Sequence, residues 1–264
     1  QGEVFEHETN SNLVIETNKV VETKGIYVYS EGEVSVYALN IKSGSTDGTL
    51  VLPFESLGSD YFIASHYENQ TKGISLGLRQ FNNESQALIV GTEDNTQIQI
   101  IPSAPVSNST DPIFVTLNEG ETYQIKSKQD LTGTQITVLN SGGSCGRIAV
   151  FSGNKLADIG DPECGIFSSS HIFNQNEPVS SWGKEFFHIP LRNRQLGELV
   201  KFIAAFDNTE VYSGNNLIAT LDAGEFYTAD VDDGEALHFT SSEPVAVFGF
   251  GKSYSCLILD ENSV

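Results

Sequence analysis

The chain contains no methionine, one tryptophan, eight prolines and three cysteines in 264 residues. Basic residues are also scarce: 14 Lys and Arg stand against 35 Asp and Glu, a formal net charge of -21. That scarcity argues against nucleic acid and anionic membrane as partners, because both are held by basic patches. It fits a soluble extracellular protein or one that binds cations, and self-repulsion alone would keep such a chain in solution. No apolar run approaches the length of a membrane span, so membrane insertion is not expected. No basic-then-apolar leader opens the chain. A start at Gln1 reads as a mature chain whose leader has been removed, and a trimmed segment would look the same. Motifs for common chemistries are missing as well: no H-E-x-x-H helix and no P-loop occurs.

Three cysteines, Cys145, Cys164 and Cys256, are too few for a disulfide scaffold, and the number is odd. No C-x-x-C spacing supports a zinc site. A Cys145–Cys164 bridge would close a short loop and stabilise by about 3 kcal/mol in the chain-entropy model. Three reduced thiols are the alternative, and the sequence leaves both open.

What the chain has is short, strand-like runs. "GIYVYS" (Gly25 to Ser30), "VSVYALNI" (Val34 to Ile41), "QIQIIPS" (Gln97 to Ser103), "TYQIKS" (Thr122 to Ser127), "TQITVLN" (Thr134 to Asn140) and "RIAVFSG" (Arg147 to Gly153) come first. "LVKFIAAF" (Leu199 to Phe206), "EALHFTSS" (Glu235 to Ser242) and "PVAVFGFG" (Pro244 to Gly251) follow. All are rich in β-branched and aromatic residues and bounded by Gly, Asn, Asp, Ser or Pro. No long helical period interrupts them. The expected fold is all-β, with tandem sandwich-like repeats of antiparallel sheets and little or no helix. Ile159 to Ser181 reads as an irregular loop with at most a short helical turn.

The strands recur in order. "EDNTQIQI" is followed by "VTLNEGETYQI" and "RIAVFSG"; "FDNTEVYS" is followed by "ATLDAGEFYTA" and "VAVFGFG". Thr116, Leu117, Gly120, Glu121 and Tyr123 line up with Thr220, Leu221, Gly224, Glu225 and Tyr227. This is an internal repeat. A partial copy opens the chain, since "YVYSEGEVSVYALN" resembles "FTSSEPVAVFGFG". The expected division is a partial first β unit over 1–82, a second unit over 83–194 carrying the long loop, and a third over 195–264. The front half of the first unit is missing, which leaves sheet edges for something to cover: another part of the chain, a removed segment or a second copy in a homo-oligomer.

Repetition bears on Asp94-Asn95-Thr96 and Asp207-Asn208-Thr209. Such residues make turns by hydrogen-bonding the nearby backbone. A catalytic acid needs no equivalent in each unit, so the turn reading is preferred over a cation site. "DVDDGEA" crowds Asp230, Asp232, Asp233 and Glu235 around a glycine. It is a solvated turn or a weak calcium site, lacking the spacing of an EF-hand. Tyr61, Phe62, His66 and Tyr67 form an aromatic cluster suited to sugar stacking if exposed and to the core if buried. His171, Trp182 and His188 flank the irregular segment. An enzyme would use His171 as base, oriented by Asp161 or Glu163; otherwise His171 and Trp182 anchor a loop. Asn69, Asn83 and Asn108 each begin an Asn-x-Ser/Thr sequon for glycosylation.

The ordered set "GIYVYSEGEVSVYALN", "TLVLPFESLGSDYF", "EDNTQIQI", "LNEGETYQIKSKQDLTGTQI", "VFSGNK" and "PVSSWGKEFFHIPL" resembles the N-terminal domain of the IgGFc-binding protein family. The likeness runs over nearly the whole chain. It implies a secreted mucus, adhesive or cell-surface protein without catalytic activity. The family's cysteines after "SGN" and before a His fall here at Leu156 and at Ser169 or Ser170, so Cys145 and Cys164 would be a replacement bridge. The expected function is thus non-catalytic binding or adhesion, lectin-like or mucus-like, with a glycan or glycoprotein recognised by loops or the surface between units. One alternative is a carrier of a small hydrophobic ligand or pigment held between units or subunits. The other is an enzyme using His171.

Overall fold

The structure, a computed structural model, describes residues 3–42, 45–67, 83–142, 146–160, 170–190, 197–231 and 237–252. Its strands are β1 (Val21–Thr23), β2 (Val36–Lys42), β3 (Ser45–Val51), β4 (Asp60–Phe62), β5 (Ser85–Gly91), β6 (Thr96–Ile101), β7 (Ile113–Leu117), β8 (Glu121–Ser127) and β9 (Gln135–Asn140). They continue as β10 (Ile148–Ala157), β11 (Ser170–Gln175), β12 (Gly183–His188), β13 (Glu198–Ala204), β14 (Thr209–Ser213), β15 (Asn216–Leu221), β16 (Phe226–Val231) and β17 (Leu237–Gly251). Every strand pairing is antiparallel. Among the described residues the only helical pieces are 3-10 turns at Ser11–Leu13, Phe54–Ser56 and Val179–Ser181. The all-β expectation holds.

Two sheets, β1-β8-β5-β10-β11 and β4-β9-β6-β7, face each other across one core. Alternation decides what enters it: Ile89, Ile125, Ile148 and Val150 come from the first sheet, Tyr61, Ile98, Ile100, Leu117 and Ile136 from the second. A second core lies within the sheet β15-β14-β17-β13-β16. The long β17 pairs with β14 through Phe239 to Ser241 and with β13 through Val245 to Gly251, so one strand serves both halves. Val200, Phe202, Val211, Leu221, Phe239 and Val245 fill that core.

The connectivity is the same twice. In the first core β5 pairs with β8 and β10 while β6 pairs with β7 and β9. In the second, β13 pairs with β16 and the end of β17, while β14 pairs with β15 and the start of β17. The strand entering each set crosses from the preceding one. A Pro-led 3-10 turn leads into each: Gly58 follows it before β4, which pairs with β9, and Gly183 follows it as the first residue of β12, which pairs with β17. Thus β4, within the span read as the first unit, is built into the sheets of the second.

Three local expectations differ from what is found. "GIYVYS" is not in a strand, and Ile26, Tyr27, Val28 and Tyr29 are exposed. A strand needs a hydrogen-bonded neighbour, and beyond the bond from Gly25 to the Gly120 carbonyl no strand pairs with it among the described residues. The segment read as an irregular loop contains β11. Its neighbour β3 was not recognised either. β3 turns Ser45, Asp47 and Thr49 toward β11, and their oxygens accept from the backbone N–H groups of His171, Phe173 and Gln175 at 2.7, 2.8 and 3.0 Å. The inward face is therefore polar and hides the usual apolar alternation. Leu237 to Ser242 of "EALHFTSS" and "PVAVFGFG" are one strand, β17, rather than two, while Glu235 and Ala236 lie outside the described residues.

Candidate functional site

The Asp-Asn-Thr turns are built alike atom for atom. Asn95 and Asn208 adopt φ of 55° and 57°, the left-handed conformation Asn tolerates. Asp94 Oδ1 accepts from Glu119 N–H at 3.1 Å, and Asp207 Oδ1 from Ala223 N–H at 3.0 Å. Thr96 and Thr209 donate to the carbonyls of Glu93 and Phe206 at 2.7 and 2.6 Å. Glu121 and Glu225 each accept from a backbone N–H across the following turn. These carboxylates hold their own backbone.

A buried polar cluster lies where the two cores meet. β13 carries Lys201 between apolar neighbours, and its ammonium reaches across to Asp130 Oδ2 and to the Ser65 carbonyl, both at 2.7 Å. Thr132 Oγ1 lies 3.1 Å from the same nitrogen. The rings of Phe226 and Phe250 lie 4.7 and 5.6 Å from it. Burial pushes the Lys201 ammonium below its ordinary pKa, and Asp130 offsets part of that shift. Burial also pushes the Asp130 carboxyl up, but Lys201 and the hydrogen bonds from Thr132 outweigh it and leave it below its usual value. Each partner thus favours the other's charged form against the cost of burial. Around them Phe62, Ala64, Ile203 and Ala246 form an apolar collar. Two turns touch here: Gly133 has φ of +84°, and a Cβ on it would lie 1.9 Å from the Gly224 carbonyl oxygen.

The "SGN" stretch of β10 straps the preceding chain into this junction. Ser152 Oγ donates to the Ala64 carbonyl at 2.6 Å and Asn154 Nδ2 to the His66 carbonyl at 2.8 Å. Gly153 lets the Ile172 carbonyl approach to where a Cβ would be, 1.8 Å away. These buried polar groups satisfy backbone that leaves the sheet, which is what buried polar groups must do.

The candidate residues do not form one site. Tyr61 is fully buried in the first core; its hydroxyl donates to the Ile148 carbonyl at 2.7 Å, and burial pushes its pKa up to about 12. His66 is also buried, stacked on the half-buried Tyr67 at 4.4 Å and edge-on to Phe250. Burial, then the nearby Lys201 charge, pushes its pKa down to about 4, so it is neutral at physiological pH. Trp182 is half-buried against Phe62, its Nε1–H donating to the Glu177 carbonyl at 3.3 Å. His171 sits on β11, away from the aromatic cluster. Its Nδ1 lies 2.9 Å from the Asn154 carbonyl and must be the donor there, leaving Nε2 to accept from Asn40 Nδ2 at 3.1 Å. Its ring is thus fixed by amide groups. His188 Nε2 lies 3.0 Å from Glu198 Oε2.

Asp230 is ion-paired with Lys252, while Asp232, Asp233 and Glu235 lie outside the described residues. So do Cys145, Cys164, Cys256, Asp161, Glu163 and Asn69. Among the described residues no three His, Cys, Asp or Glu gather to hold a metal. Asn108 is exposed with φ of 68° in a tight turn, and Asn83 is half-buried. Sequence reading missed Lys201 and Asp130. The available signal was a lysine inside the apolar run "LVKFIAAF", whose charge requires a partner if the strand is interior.

A family described as IgGFc binding protein matches residues 47–263. A human (Homo sapiens) protein described as IgGFc-binding protein is 22% identical over 228 residues, which is 86% of this chain and 4% of that protein. The chain thus spans a small fraction of the length of this curated relative. No helix among the described residues is long and apolar enough to cross a membrane. With the match covering most of its length and the motif order kept throughout, the chain belongs to the IgGFc-binding protein family.

Proposed function

We propose that this chain is a secreted, non-catalytic module for binding or adhesion, recognising a glycan or glycoprotein through turns at the sheet ends or the surface between the two cores. The family match over 47–263 carries this reading. The geometry supports it in one respect: the polar groups that looked chemical are engaged in holding the fold. Asp94 and Asp207 bind turn amides, Lys201 binds Asp130, and His171 is fixed between two asparagines. The carrier alternative draws no support from the described residues, because Phe62, Trp182, Lys201 and Phe250 occupy the meeting of the two cores.

The test is a glycan and glycoprotein array that includes immobilised IgG Fc, run with calcium and with chelator. Selective, saturable binding by the intact chain is expected, and His171→Ala should leave it unchanged. Silence across the array, or a hydrolytic activity that His171→Ala removes, would overturn the reading.

A further inference from the structure

The outer face of the sheet β4-β9-β6-β7 is built almost without charge. β6, β7 and β9 contain no Asp, Glu, Lys, Arg or His, in a chain with 35 acidic residues. Alternation turns Ile98, Ile100, Leu117 and Ile136 into the core, so Gln97, Gln99, Phe114, Thr116, Thr137 and Leu139 point outward. Strand register sets Phe114, Gln99 and Thr137 in one row, with Asp60 of β4 at its border, and Thr116 beside Gln97 in the next. Phe114 and Leu139 are 65% and 53% exposed. Between them lies a shallow depression of about 160 Å³, lined by Gln97, Phe114, Thr116 and Leu139 and backed by the strands at Ile98 and Val115. The same face of the second copy is different. Glu210 stands in the place of Gln97 and accepts from the hydroxyl of Tyr212, in the place of Gln99, at 2.6 Å. Beside them His238 lies 2.9 Å from Glu185. Among the described residues Gln97 and Gln99 have no such side-chain pairing.

We propose that this face binds a neutral glycan, with the ring of Phe114 stacked on one sugar and Gln97, Gln99 and Thr116 hydrogen-bonded to its hydroxyls. Glu210 shows that the fold accepts a carboxylate at the position of Gln97, so the absence of charge is not dictated by the sheet. Amides and hydroxyls both donate and accept, as sugar hydroxyls do. The C–H face of a pyranose carries partial positive charge and suits the negative face of an aromatic ring. Charge selects the class of sugar. These strands offer no cation to a carboxylate or sulfate, and the net charge of -21 repels both. A protein partner fits less well, because interfaces are anchored by Tyr, Trp and Arg, and the three strands contain none. The depression is smaller than pockets that enclose whole small molecules, so it takes one ring of a chain lying across the sheet. This inference rests on the proposed glycan reading, and adds a sheet face to the turns and the inter-core surface as a place of contact.

The experiment offers the full chain immobilised neutral oligosaccharides of glucose, galactose, mannose and N-acetylglucosamine beside sialylated and sulfated ones. Calorimetry then measures its affinity for the best neutral ligand. Saturable binding of a neutral oligosaccharide is expected. Phe114→Ala should weaken it by about tenfold, and Phe114→Tyr should keep it. Gln97→Glu, which copies Glu210, should weaken it as well, whereas Glu210→Gln on the other sheet should not. Phe114 and Gln97 are exposed, so melting temperature should stay unchanged in their variants. Glycan binding that Phe114→Ala leaves intact, or a preference for the anionic glycans, would overturn this proposal and spare the broader glycan reading. Silence toward every glycan would overturn both. A glycan-free dimer in sedimentation that Phe114→Ala dissolves would overturn the proposal in favour of a second copy on this face.

Discussion

Two glycine contacts repeat along this chain, Gly25 on Gly120 and Gly133 on Gly224, and they are used differently. Three residues before Gly133 stands Asp130, half-buried and bonded to Lys201 from β13. Three residues before Gly25 stands Glu22, which pairs with Lys24 and Thr17. Beside it Gln124 and Lys126 of β8 reach out to the carbonyls of Thr17 and Glu16. One backbone contact thus serves as a buried ionic lock between two full cores and, elsewhere, as a clasp for a lone segment. What decides is whether the facing strand belongs to a complete set of sheets that can bury the charge.

The lock is broken most severely at Lys201. Lys201→Met leaves the Asp130 carboxylate buried without its cation and should destabilise by about 3–5 kcal/mol in urea unfolding. Adding Asp130→Asn should recover much of that, whereas Lys24→Ala at the clasp should lose under about 1 kcal/mol.

His66 probes the same junction by pH. Its folded pKa is about 4 against an ordinary 6.5, so between those values the unfolded chain binds a proton that the folded chain refuses. The stability it confers is fully present above pH 6.5 and falls as pH drops toward 4, by up to about 3 kcal/mol. Lys201 and Asp130 are the charged groups facing it. His66→Phe should flatten that part of the stability–pH curve.

Gly133→Ala should destabilise by at least about 1–2 kcal/mol from its left-handed backbone alone, with the Gly224 carbonyl in the way besides. Effects of similar size belong to the turns. Asp94→Ala and Asp207→Ala should each lose about 1–2 kcal/mol, by similar amounts, and calcium should shift neither melting temperature. Unequal losses, or a calcium shift abolished by one of them, would contradict their shared role.

Much of this architecture was legible. Strand-like runs located β6, β8, β9, β10, β13 and β17 but not β5, although it lies between β8 and β10, and the twofold Asp-Asn-Thr and Gly-Glu pattern exposed the repeat. The parts that were not legible share a physical reason. β3 and β11 meet through side-chain oxygens and backbone amides, so the polar face of Ser45, Asp47 and Thr49 carries no strand signal. "GIYVYS" has strand composition but, beyond Gly25 on Gly120, no strand pairs with it among the described residues, and composition cannot supply one. The sequence leaves Tyr61 and His66 open between surface and core because local sequence does not tell which segment crosses into a neighbouring core, and both are buried. Lys201 meets Asp130 only through the tertiary fold, 71 positions away.

The central claim is that the two complete cores are joined by the Lys201 junction into one folding body. Differential scanning calorimetry tests it most directly. A single transition with equal calorimetric and van't Hoff enthalpies is expected for the intact chain. Two resolved transitions, unchanged in spacing by Lys201→Met, would contradict it.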